Sequence, residues 1–419
     1  MPKPHIAVIG KIIRKVARLK GGGSALPGLI VEKIDPKFTK DVLAKLPLGV
    51  VVISGTNGKT TTTKMVVELL EGQGLKVFTN RTGSNFARGV TAALLADVDI
   101  KGELSADIAV LELDEAHAIK FVDMVPPKYS LLLNVMRDQL DRFGEIDKTA
   151  QLLQHIAEAT TDSVVLNRED QRVANIANHI KITPLYFGLE PQLKNKFKSE
   201  DELNHNSSSK IEASVTLESF SDNLATFNIG SSKLTVPLKL KGIYNIFNVA
   251  AALALTGAIL KENINISKLK DSLSSIKPAF GRGETLTVNE QPLQLVLVKN
   301  PSGFRLALQS FSQKDHATMI AINDEYADGR DMSWLWDVDF SDLKDSGVHT
   351  ISGIRAYDMA LRLQYDEVEI SKVDTNLKNS LGIFISNNPD KPKLIFCTYT
   401  AMLTLRKELS KITDVEEVS

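Results

Sequence analysis

The sequence predicts an α/β protein. A central domain on a mostly parallel sheet, with a small antiparallel insertion, is expected, and a second α/β domain after it. Three observations predict this. Short apolar, β-branched runs alternate with helical stretches, first between Val50 and Leu166 and again from Leu293 onward, as parallel strands with crossover helices require. A glycine-rich loop joins the first such run to a helical pattern. The length of 419 residues exceeds what one hydrophobic core fills, so more than one domain is expected.

Taken in order, residues 1–45 are basic, then glycine-rich at Gly21-Gly22-Gly23, then punctuated by proline. They predict an N-terminal helix, a loop and a second short helix over Lys40–Leu46. Lys11–Lys20 (KIIRKVARLK) is a basic patch that reads most simply as an amphipathic helix with a solvated charged face. The central domain, 46–283, opens with Val50-Val51-Val52-Ile53, the pattern of a buried parallel strand. Its helix runs from Thr60 to Gln73, and Leu75–Phe78, Ile108–Leu113, Ser130–Val135 and Ser163–Leu166 are further strands. Residues 194–235 begin with a polar tip (KNKFKSEDELNHNSSSK) and continue with alternating stretches at Ile211–Leu217, Ala225–Ile229 and Leu234–Leu240, predicting the antiparallel insertion. A helix follows from about Asn245 to Leu260, and Pro278–Glu284 reads as a hinge. In 284–419 the strands are Leu295–Val298, Thr318–Ile322, Val348–Ile351 and Lys393–Cys397.

Composition excludes several classes of function. Hydrophobic content of 43% and charged content of 24% belong to an ordinary globular chain. A formal net charge of -1 gives no electrostatic case for nucleic acid. The single Cys397 rules out an internal disulfide or a multi-cysteine zinc site, and after Leu394-Ile395-Phe396 it reads as a packed strand thiol rather than a nucleophile. No apolar stretch is read as reaching the roughly 18 residues of a membrane span, and nothing at the N-terminus reads as a signal peptide, so a cytoplasmic location with no transmembrane segment is expected.

Chemistry concentrates at Gly55-Thr56-Asn57-Gly58-Lys59-Thr60-Thr61, between a strand and a helix. Glycines let backbone N–H groups turn toward a polyphosphate, and the helix N-terminus adds its positive end. Lys59 can reach the outer phosphates and the Thr60 hydroxyl can hold Mg²⁺, although only two residues separate the glycines where the general pattern has four. Glu112 ends an apolar strand, where a second metal ligand or water-orienting group belongs. Asn134–Arg142 and the pair Asn167 and Asp170 follow other strands, so several strand ends carry polar residues toward one edge.

These motifs in this order, with Gly242–Asn248 (GIYNIFN) and Gly281-Arg282-Gly283-Glu284, resemble the Mur ligases, ATP-dependent enzymes of peptidoglycan precursor synthesis. Thr82–Gly89, Asn323–Phe340 and Thr398–Leu403 are similar in particular to the MurT branch, the synthetase subunits of lipid II isoglutaminyl synthase. The resemblance implies a Mur-ligase-like central domain and a Rossmann-like C-terminal domain. It implies ATP and Mg²⁺ as cofactors, with the phosphates on Gly55–Thr61 and Mg²⁺ on Thr60 and Glu112. Asn167, Asp170, Asn245 and Asn248 then contact nucleotide, and Arg282 reaches the phosphates from the hinge. The implied reaction is amidation of the D-Glu α-carboxylate of the lipid II stem peptide through an acyl phosphate. Ammonia comes from a GatD-like glutaminase subunit in a heterodimer, docked by the C-terminal domain.

An aspartate of that domain is implied to complete the glutaminase Cys-His pair. Among Asp328, Asp331, Asp337 and Asp339, Asp331 is favoured and Asp337 is second. Trp334 and Trp336 are expected as interface or core anchors. The chain departs from the peptide-forming Mur ligases in having Gln139 for their histidine. Gln154 lies near the place of their carbamoylated lysine, with Lys148 too early. It departs from many MurT sequences in lacking four zinc-ribbon cysteines at about 194–235, so no zinc is expected. The alternative reading is a stand-alone ligase that adds an amino acid, of the Mur or folylpolyglutamate type.

Overall fold

The computed structural model describes residues 4–19, 26–80, 86–136, 146–196, 211–221, 223–240, 242–277, 282–311 and 314–415. The chain divides into two compact units: the first ends at Ile276, and the second begins at Lys277 and also takes in Leu240–Tyr244.

In the first unit the strands are β1 (Val50–Ser54), β2 (Val77–Thr79), β3 (Ile108–Glu112), β4 (Tyr129–Leu132), β5 (Ser163–Asn167), β6 (Leu185–Leu189), β7 (Val215–Phe220), β8 (Leu224–Ile229) and β9 (Ser232–Pro237). They form one sheet in the order β2-β3-β1-β4-β5-β6-β7-β8-β9. Pairing is parallel from β2 through β7. It is antiparallel between β7 and β8 and between β8 and β9. The antiparallel strands are therefore the far edge of the central sheet, joined to it through β6, which the sequence reading left unassigned. Residues 197–210, the polar tip, lie outside the described residues.

Helices α1 (Pro4–Leu19), α2 (Leu26–Ile34), α3 (Phe38–Leu43), α4 (Lys59–Gly72), α5 (Ala87–Asp97), α6 (Glu115–Met124), α7 (Ile146–Ala159), α8 (Gln171–Asn175), α9 (Ile243–Leu260) and α10 (Ile266–Ser275) accompany it. A central β1 must be apolar on both faces, and all five of its residues are buried. One core joins Val50 and Val52 to Val90 and Leu94 of α5 and Phe121 of α6. Over 1–45 there are three helices rather than two, because Pro27 starts α2 inside the stretch read as loop. Contrary to the sequence expectation, Ile243–Asn263 is long and apolar enough to cross a membrane. Its side chains are spent on the protein core instead: Ile246 through Leu255 of α9 are buried, and Phe247 meets Phe187 of β6 at 5.2 Å between ring centres.

In the second unit β10 (Arg282–Val288), β11 (Gln291–Leu297), β12 (Ala317–Ala321), β13 (Thr350–Ser352), β14 (Val373–Asp374) and β15 (Lys393–Cys397) form a sheet in the order β10-β11-β15-β12-β13-β14. Only β10 with β11 is antiparallel. Helices α11 (Pro301–Ser310) and α12 (Ala356–Tyr365) cover one face, and α13 (Leu377–Asn387) and α14 (Tyr399–Leu409) the other. This is a doubly wound α/β arrangement. Of the segment read as a hinge, 278–281 lie outside the described residues, and the rest opens β10. Gly283 there has φ +87°, and an added Cβ would stand 2.7 Å from the Phe311 ring.

Candidate active site

Parallel strands deliver their loops to one edge of the sheet, and a ligand crevice opens where the strand order reverses. Here the chain leaves β1 for β2, returns through β3 to one side of β1, and continues with β4 on the other side. The loops after β1, β3, β4 and β5 consequently meet.

The loop after β1 holds Gly55–Gly58, and α4 starts at Lys59. Gly55 has φ +135° and Gly58 φ +89°, a region that side chains disfavour. A Cβ at Gly58 would lie 2.8 Å from Asn248 Nδ2, so the absence of a side chain also allows α9 to approach. The loop is braced from β4. Thr56 N–H donates to Asn134 O at 3.0 Å. The Asn134 side chain accepts from Asn57 N–H at 2.9 Å and donates to Asn57 O at 2.9 Å. Thr56 Oγ1 accepts from Met136 N–H at 3.1 Å.

Behind this brace stand Asn167 and Asp170. Asn167 Nδ2 donates to Leu133 O at 2.7 Å. Asp170 accepts from Val135 N–H at 2.7 Å and caps α8 through Val173 N–H at 3.1 Å. The structure thus gives both residues work in fixing the exit of β4.

Thr60 Oγ1 donates to Glu112 Oε1 at 2.9 Å. Two ligands at adjacent corners of a Mg²⁺ octahedron, each about 2.0–2.1 Å from the ion, stand roughly 2.9 Å apart, so this pair fits one edge of such a shell. Glu112 is held by Asn80, whose Oδ1 accepts from Glu112 N–H at 3.0 Å and whose Nδ2 donates to Glu112 O at 2.8 Å. Among the described residues no group of three His, Cys, Asp or Glu side chains surrounds a metal position. Water and phosphate oxygens would have to supply the remaining ligands, a donor set that suits Mg²⁺.

Lys59 is buried. Its Nζ donates to Gly55 O at 2.5 Å and Thr56 O at 3.4 Å, and lies 3.3 Å from Glu115 Oε2. Glu115, Asn80 and the bracing role of Asn134 complete the arrangement. Glu115 and Asn80 were not singled out from the sequence, although Asn80 directly follows β2 and the rule that found Glu112 would have found it.

Asn248 is buried beside the loop and Asn245 lies one turn earlier on α9. Arg282 begins β10 in the second unit. Arg137–Arg142, including Gln139, and residues 82–85 lie outside the described residues. Gln154 on α7 donates to Glu158 at 2.7 Å.

The aspartates read from the sequence sit in the second unit. Asp328 is buried, and accepts from Thr400 N–H at 2.8 Å and Thr400 Oγ1 at 2.5 Å, a structural task. Asp331 accepts from Ser333 N–H at 2.9 Å. Hydrogen bonds from the Ser333 hydroxyl and backbone hold its carboxyl below the usual range. Asp337 ends the short 3₁₀ turn Ser333–Asp337 and is exposed, and Asp339 accepts from Ser341 N–H at 2.9 Å. Trp334 packs in the core near Phe304, whereas Trp336 is on the surface, edge-on to Tyr365 at 5.1 Å. Cys397 is fully buried, and burial first, then Asp328 and Glu284, push its thiol far above the ordinary range, which makes it a poor nucleophile.

The Mur ligase middle domain matches residues 53–256 and the MurT ligase C-terminal domain residues 297–402. The lipid II isoglutaminyl synthase (glutamine-hydrolyzing) subunit MurT of Streptococcus pneumoniae (strain ATCC BAA-255 / R6) is 31% identical, with 93% of each chain aligned. The subunit of the same name from Staphylococcus aureus (strain COL) is 30% identical over 86% of this chain and 87% of its own length. Among solved structures, MurF ligase of Thermotoga maritima in complex with ADP superposes with a TM-score of 0.67 at 17% identity, covering 90% of this chain and 84% of that one. At that identity the likeness speaks for the fold.

Proposed function

This chain belongs to the MurT family of the Mur ligases and is an ATP-dependent ligase, and from that premise we propose that it amidates the D-Glu α-carboxylate of the lipid II stem peptide to D-isoglutamine. The observation that carries the nucleotide half of this reading is the 2.9 Å Thr60–Glu112 oxygen pair at the foot of a glycine loop and helix N-terminus. A carboxylate resists direct attack by ammonia because oxide would have to leave. Transfer of the γ-phosphoryl of ATP to a carboxylate oxygen breaks the phosphoanhydride bond and releases ADP. Ammonia then adds to the acyl carbon, loses a proton, and phosphate departs with the carboxylate oxygen. Placement and charge neutralisation of the moving phosphoryl are the protein's main tasks. Backbone N–H groups of Gly55–Thr61 and the Lys59 ammonium serve the phosphates, and Mg²⁺ on Thr60 and Glu112 supplies Lewis-acid neutralisation when bound. Asn167, Asp170, Asn245 and Asn248 belong to the nucleotide pocket in this reading, and Arg282 to the phosphates.

We assign residues 1–45 to an N-terminal helical segment, 46–283 to the ATP-binding domain and 284–419 to a domain that docks a GatD-like glutaminase. An exposed stripe supports the docking role. Tyr357, Leu361 and Tyr365 repeat every four residues along α12, and Trp336 meets Tyr365 at its end. Large aromatic side chains left in solvent at helical spacing are what an interface core is made of. Asp331, with Asp337 second, is the aspartate offered to the partner's Cys-His pair. The location is cytoplasmic, at the inner face of the membrane that carries the substrate.

The test is mass spectrometry of lipid II incubated with this chain, ATP and Mg²⁺ under three nitrogen supplies: ammonium, glutamine, and glutamine with the glutaminase subunit. A one-amide mass change with the first and third but not the second is expected. ATP consumed only when a free amino acid is supplied, with no amidation, would overturn the proposal in favour of a stand-alone ligase.

A further inference from the structure

We infer that the outward face of α1 is a docking surface for an anionic phospholipid bilayer. The helix has two sides of different character. Ile6, Ala7 and Gly10 are buried, and Gly10 is so closely packed that a Cβ there would meet Leu95 of α5 and Val31 of α2. The opposite side leaves Val8 40%, Ile9 38% and Ile12 58% exposed. Such a cluster on an ordinary surface helix would be polar. Lys15, exposed, and Lys11, half-buried, lie along one flank of this apolar strip.

Charge identifies the occupant. Six of the chain's 50 Lys and Arg lie in its first 20 residues, which contain none of its 51 Asp and Glu. In a chain of net charge -1 this segment is thus wholly basic, and among its described side chains Lys11 and Lys15 flank the exposed apolar strip. A protein partner or a second copy requires only the apolar surface. An interfacial helix on an anionic bilayer requires both, with apolar side chains entering the acyl boundary and lysines reaching the head groups. The inference rests on the proposed function only for its purpose, since a lipid-carried substrate would then be met on the same surface.

The test is flotation of the full-length chain, with its glutaminase subunit, on vesicles free of lipid II and of ATP. Vesicles of phosphatidylglycerol with phosphatidylcholine are compared with phosphatidylcholine alone, at low and high salt. Salt-sensitive binding to the anionic vesicles is expected. Lys15→Gln should weaken it about fivefold, the order of one basic residue at an anionic surface. The double variant Val8→Ser/Ile12→Ser should weaken it more than tenfold. Both variants alter exposed positions, and amidation of a water-soluble, short-chain substrate should be unchanged. Absence of vesicle binding, equal binding to both compositions, or binding unaltered in the variants would overturn the inference. So would lipid-free self-association that Val8→Ser/Ile12→Ser abolishes, which would make the strip a contact between copies. Failure of the short-chain substrate to be amidated would bear on the proposed function and leave the vesicle result standing.

Discussion

Replacing Glu115 by Gln tests whether the buried ion pair at the phosphate loop is a ground-state restraint that nucleotide must displace. Lys59 Nζ stands 3.3 Å from Glu115 Oε2, with both side chains less than a tenth exposed. At that distance and an effective dielectric of about 20, the direct attraction is about 5 kcal/mol. Glutamine keeps a hydrogen-bond acceptor, and Gly55 O and Thr56 O still face the ammonium, so a net loss of about 3 kcal/mol is expected, the low end for breaking a buried pair. For a folding unit of this size that corresponds to a fall in Tm of about 6–12 °C. The polyphosphate of ATP is itself an anion for Lys59. ATP with Mg²⁺ should therefore raise the Tm of Glu115→Gln by more than it raises that of the parent, and should bind the variant more tightly. Thermal unfolding with and without ATP and Mg²⁺ measures both. The double variant Lys59→Met/Glu115→Gln should be more stable than Glu115→Gln alone, because no buried charge is left unpaired. An unchanged Tm together with an unchanged ATP response would refute the reasoning.

If Glu112 is the second cation ligand, as proposed, Glu112→Gln should lower ATP turnover by about two to three orders of magnitude and raise the Mg²⁺ concentration needed for half-maximal rate, as read from a Mg²⁺ titration. His349 Nδ1 accepts from Thr318 N–H at 3.3 Å, and burial lowers its pKa, so the folded state needs a neutral ring. Protonation favours the unfolded chain. Stability of the second unit should be full above the ordinary histidine value near 6.5 and fall as pH drops below it, and His349→Asn should flatten that part of the Tm-versus-pH curve. Cys397 should resist thiol reagents at pH 8 in the native protein and react at the rate of unfolding, a result that quench-flow labelling at rising denaturant can check. On the proposed assignment of Asp331 to the partner's reaction, Asp331→Asn should spare amidation with ammonium while reducing glutamine-dependent amidation by orders of magnitude.

Much of the candidate site is legible in the sequence. Gly55–Thr61 announces itself because its glycines, lysine and threonine act within one turn of chain, and Glu112 because an acid at the end of a buried strand has few other reasons to be there. Glu115 was not legible. In sequence it is an acid in the first turn of a helix, a common capping choice. It meets Lys59 only because β3 lies beside β1 after a detour through β2. The Asn134–Asn57 and Asn80–Glu112 pairs depend on the same strand order.

The strand β10 was missed for a different reason. Its hairpin with β11 turns at Asn289 and Glu290, both with positive φ, and a glutamate gives no turn signal there. The antiparallel strands β7–β9 show their alternation plainly. That they extend the central sheet, instead of standing apart, follows from β6, a strand of mixed burial whose pattern is weak.

What the sequence determined by itself is local. It set the α/β class through the alternation of periods, the phosphate loop through contiguous residues, and the buried character of Cys397 through the run before it. Tertiary structure decided everything that depends on two distant segments arriving at one place. That includes the ion pair at Lys59, the oxygen pair at Thr60 and Glu112, the division of Trp334 to the core and Trp336 to the surface, and the outward face of α1. The physical reason is that periodicity reports which side of an element is apolar, while strand order and helix packing determine which neighbour, if any, that side meets.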